Sequence, residues 1–484
     1  MKLAELLRDI EVVESHASPE LEIADVAYDS RQVTKGAAFV AIRGFESDGH
    51  KYIPQAAEKG ASCVICEEKP ALDVPYVVVR DSRLALAVAS KNFFGDPGGE
   101  MVMLGVTGTN GKTTTTYLIK HLLEQKKGAT VGLIGTNGNM IGSDFLPTER
   151  TTPESYELQK LLREMADAGC THVIMEVSSH SLVLHRVAGL HFAVGIFTNL
   201  TQDHLDFHKT MAEYARAKSL LFDMCDRAVI NLDDEWSEYM LEHCSCPALT
   251  FSEGERGDLT AHDIELASSG VSFTAGYEGR CERVRLGIPG LFSVYNALGV
   301  MGCGLSLGID LADCADSLAS AKGVKGRVEV VPTDGDYTIL IDYAHTPDAL
   351  ENVLKSMRRV TKGRLVALFG CGGDRDRTKR PIMGRIAAEN ADFVVVTSDN
   401  PRTENPEAII ADIVAGMEGS STPREVITGR PEAIEWAIEH HQPGDVIVLA
   451  GKGHEDYQIV GHEKHHMDER EIVADILKKR KIDR

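Results

Sequence analysis

Positive charge is in short supply in this sequence. Its 484 residues include 51 lysines and arginines against 73 aspartates and glutamates, a formal net charge of −22. That balance argues against a nucleic-acid-binding surface and favours solubility. An anionic substrate would need local basic pockets, so each cluster of arginines is worth following. Long apolar runs are missing too. None approaches the roughly 20 residues of a membrane span, although a hydrophobic content of 43% is enough for several cores. The ten cysteines are scattered and nothing marks the chain as exported, so reduced thiols are expected. Cys63-Val-Ile-Cys66 has redox or metal spacing, but it sits in an apolar run and reads as a buried strand. The histidines around 462–466 lack a framing cysteine or acidic pattern and read as a solvated loop. Met1 to Val13 reads as an amphipathic helix, not a secretory signal. Internal repeats and low-complexity tracts are absent.

The chemistry-bearing motifs start with Thr107-Gly-Thr-Asn-Gly-Lys-Thr-Thr114. An apolar run, Met101 to Val106, precedes it and a helical pattern, Tyr117 to Leu123, comes after. Strand, glycine-rich turn, lysine, hydroxyl and helix is how a phosphate-cradling loop is built. The glycines turn backbone N–H groups toward an anion and the helix N-terminus adds partial positive charge. Lys112 is placed for the β/γ-phosphates and Thr113 for Mg²⁺. The generic loop wants a glycine where Val106 stands, so this is a variant.

The length implies about three domains. Residues 1–97 read as a small mixed α/β unit, closed by the turn-forming Asp96-Pro-Gly-Gly99. Residues 98–330 open with the phosphate loop and alternate strands and helices as a wound parallel sheet; Asp263 to Gly287 reads as an antiparallel hairpin. Residues 331–484 alternate more regularly, as a Rossmann-like doubly wound sheet. Its ligand is expected at the carboxyl ends of its strands.

Those strand ends are rich in polar residues. Glu176-Val-Ser-Ser-His180 and Asn199 to Asp206 should share an edge with the phosphate loop, bringing Glu176 and His204 within reach of a metal on the nucleotide. Lys218, in an amphipathic helix, reads on pattern alone as a solvated lysine. In the last unit, three strand ends present Arg375, Arg402 and Glu455, a cation fork beside a carboxylate that is complementary to an amino acid. An ATP-driven ligase or kinase fits, as does a nucleotide-switched binding protein. The second lacks an Asn-Lys-x-Asp guanine motif.

Taken together, Thr107–Thr114, Glu176–His180, Thr198-Asn-Leu with Asp203-His204, Gly326-Arg327-Val-Glu329 and Asp342-Tyr-Ala-His345 resemble the Mur ligases over essentially the whole chain. These are ATP-dependent amide-forming enzymes of peptidoglycan precursor synthesis. Tyr28-Asp-Ser-Arg31, Thr151-Thr-Pro153, His185-Arg186, Asp399-Asn-Pro-Arg402 and Gly451-Lys-Gly-His-Glu455 resemble the branch that adds the third peptide residue. Asp-Asn-Pro-Arg marks its members that take meso-diaminopimelate instead of L-lysine. The resemblance implies ATP and Mg²⁺ as cofactors and UDP-MurNAc-L-Ala-D-Glu as the second substrate. It implies that Gly108, Thr109, Asn110, Gly111, Lys112, Thr113 and Thr114 hold ATP phosphates. Asn296 and Arg327 would contact the nucleotide, with Asp342 and His345 nearby. Ser30, Thr151, Thr152, Ser178 and Arg186 would hold the UDP-sugar peptide. Arg375, Asp399, Asn400, Pro401, Arg402, Gly451 and Glu455 would hold diaminopimelate. Thr113, Glu176, His204 and Lys218 would be metal ligands, the last as a carbamate made from CO₂, and Lys112, Lys218, His204 and Glu176 the catalytic set. A cytoplasmic monomer without nucleic-acid or membrane partners is the accompanying expectation. Leu184 departs from the pattern, standing where relatives often carry a substrate-touching glutamine. L-Lysine as acceptor and a folylpolyglutamate-type synthetase are the alternatives within the superfamily.

Overall fold

The computed structural model describes residues 1–44, 47–148 and 150–482, with side chains to residue 480. The chain divides into two compact units, one of residues 1–259 and 299–310 and the other of residues 260–298 and 311–484.

The first unit contains two sheets. A five-stranded one runs in the order β1-β5-β4-β3-β2, with β1 Val12–Ser15, β2 Asp25–Ala27, β3 Ala37–Val40, β4 Cys63–Cys66 and β5 Tyr76–Val79. Every residue of β3 and β4 is buried, including Cys63 and Cys66, and burial pushes the Cys63 thiol up to about 12. The expected N-terminal helix is cut to Leu3–Leu6. Asp9 takes a positive φ of 63°, which a helix does not tolerate, and the β-branched Val12 and Val13 then fall in the strand that pairs with β5.

The second sheet of this unit positions the phosphate loop. Its strands are β6 Val102–Thr107, β7 Val131–Ile134, β8 Asn139–Ile141, β9 Asp144–Leu146, β10 His172–Glu176, β11 Phe192–Phe197, β12 Cys225–Asn231 and β13 Ala248–Glu253. They lie in the order β13-β12-β11-β6-β10-β7-β8-β9. The first six are parallel, and β8 and β9 add an antiparallel edge. Helices Lys112–Lys127 and Ser155–Asp167 bury Leu118, Leu122, Leu158 and Leu162 among other apolar positions. Because β10 and β11 flank β6 in parallel, the segments that leave their carboxyl ends emerge beside the loop after β6, as the sequence predicts.

In the second unit, β14 Leu259–Ala267, β15 Gly270–Tyr277 and β16 Arg280–Leu286 are neighbours in one sheet. Glu278 and Gly279, both at positive φ, turn β15 into β16, the hairpin read from the sequence. A six-stranded sheet comes next, in the order β17-β18-β22-β19-β20-β21. Its strands are β17 Glu329–Val331, β18 Tyr337–Asp342, β19 Leu365–Phe369, β20 Phe393–Val396, β21 Arg424–Val426 and β22 Asp445–Ala450. All but β17 are parallel. The histidine tract is not a loop: β24 Glu463–His466 pairs with β23 Tyr457–Val460 about Gly461. No helix among the described residues is long and apolar enough to cross a membrane.

Candidate active site

The phosphate loop is held from both sides. Gly108 has φ 151°, and a Cβ there would lie 1.9 Å from Thr198 Oγ1 and 3.2 Å from the Asn199 backbone. Thr198 Oγ1 donates to Asn110 O at 2.7 Å, and Asn199 Oδ1 accepts from Asn110 N at 2.9 Å. Thr109 N donates to Asn199 O at 2.9 Å. Lys112 Nζ lies inside the loop, 2.9 Å from both Gly108 O and Thr109 O. Gly111, at φ 85°, then opens the helix that carries the buried Thr113 and Thr114. Gly108→Ala is expected to weaken nucleotide binding by roughly 5- to 150-fold, since forcing the loop open costs about 1–3 kcal/mol. Titration of ATP into the variant checks this, with the melting temperature as a control for folding.

Glu176, 1% exposed, ends β10 against the loop. Its Oε1 accepts from Thr113 Oγ1 at 2.9 Å and from Thr136 N at 2.9 Å, and its Oε2 accepts from Thr136 Oγ1 at 3.0 Å. Thr136 also meets Thr151 at 3.0 Å, and Thr152 Oγ1 donates to Glu176 O at 2.8 Å. A hydroxyl and a carboxylate at a phosphate loop are hard oxygen donors, the set that Mg²⁺ takes beside nucleotide phosphates, so these residues fit that ion. No group of three or more His, Cys, Asp or Glu among the described residues is arranged to hold a metal unaided.

Lys218 departs most from its sequence reading. It is 1% exposed instead of solvated. Helix Met211–Ser219 lays its Nζ 2.7 Å from Gly108 O and 4.6 Å from the centre of the Tyr214 ring. Burial, with Lys112 beside it, pushes the ammonium well below the usual lysine range, against the pull of Asp203. The neutral amine is the form able to add CO₂. His204, at φ 53°, lies 4.9 Å ring to ring from His180, and His180 lies 5.4 Å from His208. Burial lowers all three imidazoles.

His208 is pushed furthest, to about 4, by burial and then by His180 and Lys218. It stacks on Tyr214 at 4.9 Å and its Nε2 lies 2.8 Å from Ser179 Oγ. In the unfolded chain this group protonates near pH 6.5, whereas the folded state resists protonation until about pH 4. Stability is therefore lost as pH falls through that window, by up to roughly 3 kcal/mol from this residue. Urea midpoints measured from pH 7 to 4 should fall less steeply for His208→Gln than for the parent.

The first unit also holds a cleft of about 650 Å³ lined by Tyr28, Ser30, Arg31, Gln55, Arg83 and Glu154, among others. Ser30 is buried and donates to Gln55 Oε1 at 2.8 Å. Arg31 is paired with Asp29 at 2.7 Å. Ser178 caps helix Ser179–Val183 and lies 3.3 Å from Thr152 Oγ1. Arg186 donates to Thr152 O at 3.2 Å. Thr151, Thr152, Ser178 and Arg186 therefore form one connected group, with Thr152 joining it to Glu176.

In the second unit, the carboxyl ends of β18, β22, β19 and β20 lie side by side. Arg402, at φ 51°, donates to Gly373 O at 2.9 Å and its backbone N–H to Ile459 O at 3.1 Å. Arg375 is exposed and donates to Asp374 O at 2.9 Å. Pro401 packs over the glycine turn, where a Cβ on Gly373 would lie 1.8 Å from Pro401 O. Sequence reasoning missed Lys452. Fully buried, it holds Asn400 Oδ1 at 2.9 Å and Glu455 Oε2 at 2.7 Å, and Asn400 Nδ2 donates to the same Glu455 oxygen at 2.9 Å. One carboxylate oxygen of Glu455 is thus committed within the protein. Asp399 lies 4.0 Å from the buried Arg430, itself paired with the buried Glu469 at 2.8 Å. A Cβ on Gly451 would lie 2.8 Å from Asp399 Oδ2. Val328 N donates to Asp342 Oδ2 at 2.8 Å, and burial raises the Asp342 carboxyl. Arg327 packs over Tyr343, and His345 Nδ1 lies 2.9 Å from Tyr343 O. Asn296 is buried on helix Leu291–Ser306.

Three family models match in tandem: a Mur ligase family catalytic domain over residues 22–107, a Mur ligase middle domain over 106–304, and a Mur ligase glutamate ligase domain over 326–453. The chain is 46% identical, over 99% of both sequences, to UDP-N-acetylmuramoyl-L-alanyl-D-glutamate--2,6-diaminopimelate ligase 1 of Clostridium acetobutylicum. It is 44% identical to the Clostridioides difficile protein of the same description, over 99% of this chain and 100% of that one. A solved structure of such a ligase, 33% identical, superposes with a TM-score of 0.76 over 99% of each chain. The ADP complex of MurF ligase from Thermotoga maritima, 21% identical, shares the fold with a TM-score of 0.60 over 95% of this chain and 98% of that one.

Proposed function

Because the chain belongs to the Mur ligase family, we propose that it uses ATP to join meso-diaminopimelate to UDP-N-acetylmuramoyl-L-alanyl-D-glutamate in peptidoglycan precursor synthesis. The relatives carry that acceptor and that amino acid in their descriptions over nearly full length. The structural observation that carries the chemistry is the buried Lys218 amine on the Gly108 carbonyl of the loop whose helix carries the Thr113–Glu176 pair. A structural lysine would not need burial beside Lys112 at a phosphate loop.

The reaction runs in two steps. A D-glutamyl γ-carboxylate oxygen attacks the γ-phosphorus of ATP and ADP leaves, giving an acyl phosphate. The diaminopimelate amine then attacks the acyl carbon, inorganic phosphate leaves as the C–O bond breaks, and the amine loses a proton as the amide forms. Phosphoryl transfer asks the protein mainly for positioning and neutralisation of charge. With the Thr109 and Asn110 N–H groups given to Asn199, the N–H groups of Gly111 to Thr114 and the Lys112 ammonium would hold the phosphates, Lys112 exchanging its loop carbonyls for phosphate oxygens. Thr113, Glu176, His204 and Lys218 would hold Mg²⁺, which supplies further neutralisation when bound. For Lys218 this requires the carbamate: the neutral amine adds CO₂, forming an N–C bond and losing a proton, and an anionic oxygen ligand replaces a repelled ammonium. Ser30, Thr151, Thr152, Ser178 and Arg186 would hold the UDP-sugar peptide. Arg375, Asp399, Asn400, Arg402, Gly451 and Glu455 would hold diaminopimelate. The three matched stretches support domain limits near 1–97, 98–330 and 331–484. A cytoplasmic location belongs to the same reading, because the substrates are nucleotide precursors, and a monomer completes it.

Mass spectrometry after incubation with ATP, meso-diaminopimelate and the UDP-MurNAc-dipeptide tests the proposal. The expected product is the two organic substrates joined with loss of one water, formed with an equal amount of ADP. A nucleotide-regulated binding protein gives no product, and a folylpolyglutamate-type synthetase extends a folate instead.

A further inference from the structure

Three guanidiniums converge on one carboxylate beside the cleft that Ser30 lines. Arg150 Nη1 lies 2.7 Å and Arg186 Nη2 2.8 Å from Glu154 Oε1, and Arg83 Nη1 lies 3.9 Å from Glu154 Oε2. Arg83 belongs to helix Ser82–Phe93, and Glu154 stands immediately before helix Ser155–Asp167. Arg83, Glu154 and Arg186 are far apart in sequence, so folding assembles the cluster. Glu154, Arg186 and Arg83 side chains are only 13%, 14% and 21% exposed, which limits solvent screening of their charges. Three such cations repel one another unless an anion sits among them, and Glu154 is the anion all three share. Arg186 Nε is buried and meets no partner, a hydrogen-bonding capacity the cluster does not use. Arg83 and Glu154 line the 650 Å³ cleft, while Arg150 and Glu154 line an adjoining one of about 450 Å³.

We infer that Glu154 is a positioning residue, holding Arg83, Arg150 and Arg186 together as the receptor for the doubly charged diphosphate of the nucleotide-sugar substrate. The inference rests on the ligase reading and adds Arg83, Arg150 and Glu154 to its substrate-holding residues. The carboxylates of the peptide are the other source of a double negative charge, and the test separates the two. UDP, UMP and the free L-Ala-D-Glu dipeptide are titrated by calorimetry into the parent protein and into Glu154→Gln, Arg83→Gln and Arg83→Lys. Steady-state kinetics with the UDP-MurNAc-dipeptide and melting temperatures accompany the titrations. UDP should bind the parent more tightly than UMP does. Arg83→Gln should weaken UDP roughly tenfold by loss of one charge-assisted contact, Glu154→Gln should weaken it by a similar factor by releasing the arginines it holds, and both should raise KM similarly with kcat changed less than twofold. Arg83→Lys should recover part of the loss, keeping the charge without the fork. Tighter UDP binding by Glu154→Gln would make Glu154 a competitor for the seat and overturn the inference. Unchanged KM in folded variants would overturn it too, as would a loss confined to the dipeptide. A parent protein that binds UDP but forms no amide product would instead defeat the ligase reading.

Discussion

Replacing Lys218 with alanine is expected to lower ligase turnover by on the order of 10³-fold, about 4 kcal/mol of transition-state stabilisation. Added acetate or propionate should restore a measurable part of it. Burial is the root of the effect. An ammonium 1% exposed and close to Lys112 is disfavoured, and its neutral form has a nucleophilic lone pair. On the proposed function, CO₂ addition would turn that pair into a carbamate, whose oxygens would bear negative charge at the phosphate loop. A free short carboxylate can enter the space left by alanine and supply the same charge. Alanine also removes the bond from Nζ to Gly108 O at 2.7 Å, so loop damage alone would lower activity. Carboxylate rescue separates the two causes: a variant that stays inactive at every carboxylate concentration would leave Lys218 as a structural prop for Gly108.

Arg402→Ala is expected to lower kcat/KM for meso-diaminopimelate by roughly 30- to 1000-fold while leaving turnover of L-lysine little changed. The cause is the second carboxylate, which diaminopimelate has and lysine lacks. A planar guanidinium pairs with it through two parallel bonds. Leaving a charge-assisted pair of that kind unmade costs about 2–4 kcal/mol. Arg402 suits the task because its backbone is pinned to Ile459 and one Nη atom to Gly373 O, so its direction is fixed before substrate arrives. Selectivity retained in Arg402→Ala would move the carboxylate fork to Arg375.

Much of the fold was legible in the sequence where burial is continuous. Strand β19 coincides with an unbroken apolar run, Leu365–Phe369, because a strand covered on both faces needs nothing but apolar side chains. The phosphate loop and the strand ends beside it came from the same logic of parallel order. Short and polar elements did not show. Strands β8 and β9, three residues each, are too brief to display a period. Strand β24, Glu-Lys-His-His, is exposed along its length and is held by its pairing with β23. The larger misreading was Lys218, whose helix pattern points it to solvent. Its burial depends on Gly108, 110 residues away, and no local pattern encodes such an approach. Lys452 was invisible for the same reason, since its partner Asn400 arrives from the end of a different strand. Family resemblance recovered Lys218 and passed over Lys452 and Glu154, which act through other side chains.

Activation of a carboxylate by ATP as an acyl phosphate, before the amine arrives, is the step on which the proposed function stands. It is tested most directly with UDP-MurNAc-L-Ala-D-Glu labelled with ¹⁸O in the γ-carboxylate, incubated with ATP, Mg²⁺ and meso-diaminopimelate. Mass analysis of the released phosphate should find one ¹⁸O per amide formed, because the bridging oxygen of the acyl phosphate leaves with the phosphorus. Amide formation with unlabelled phosphate would contradict the mechanism, and release of phosphate without amide would contradict the function.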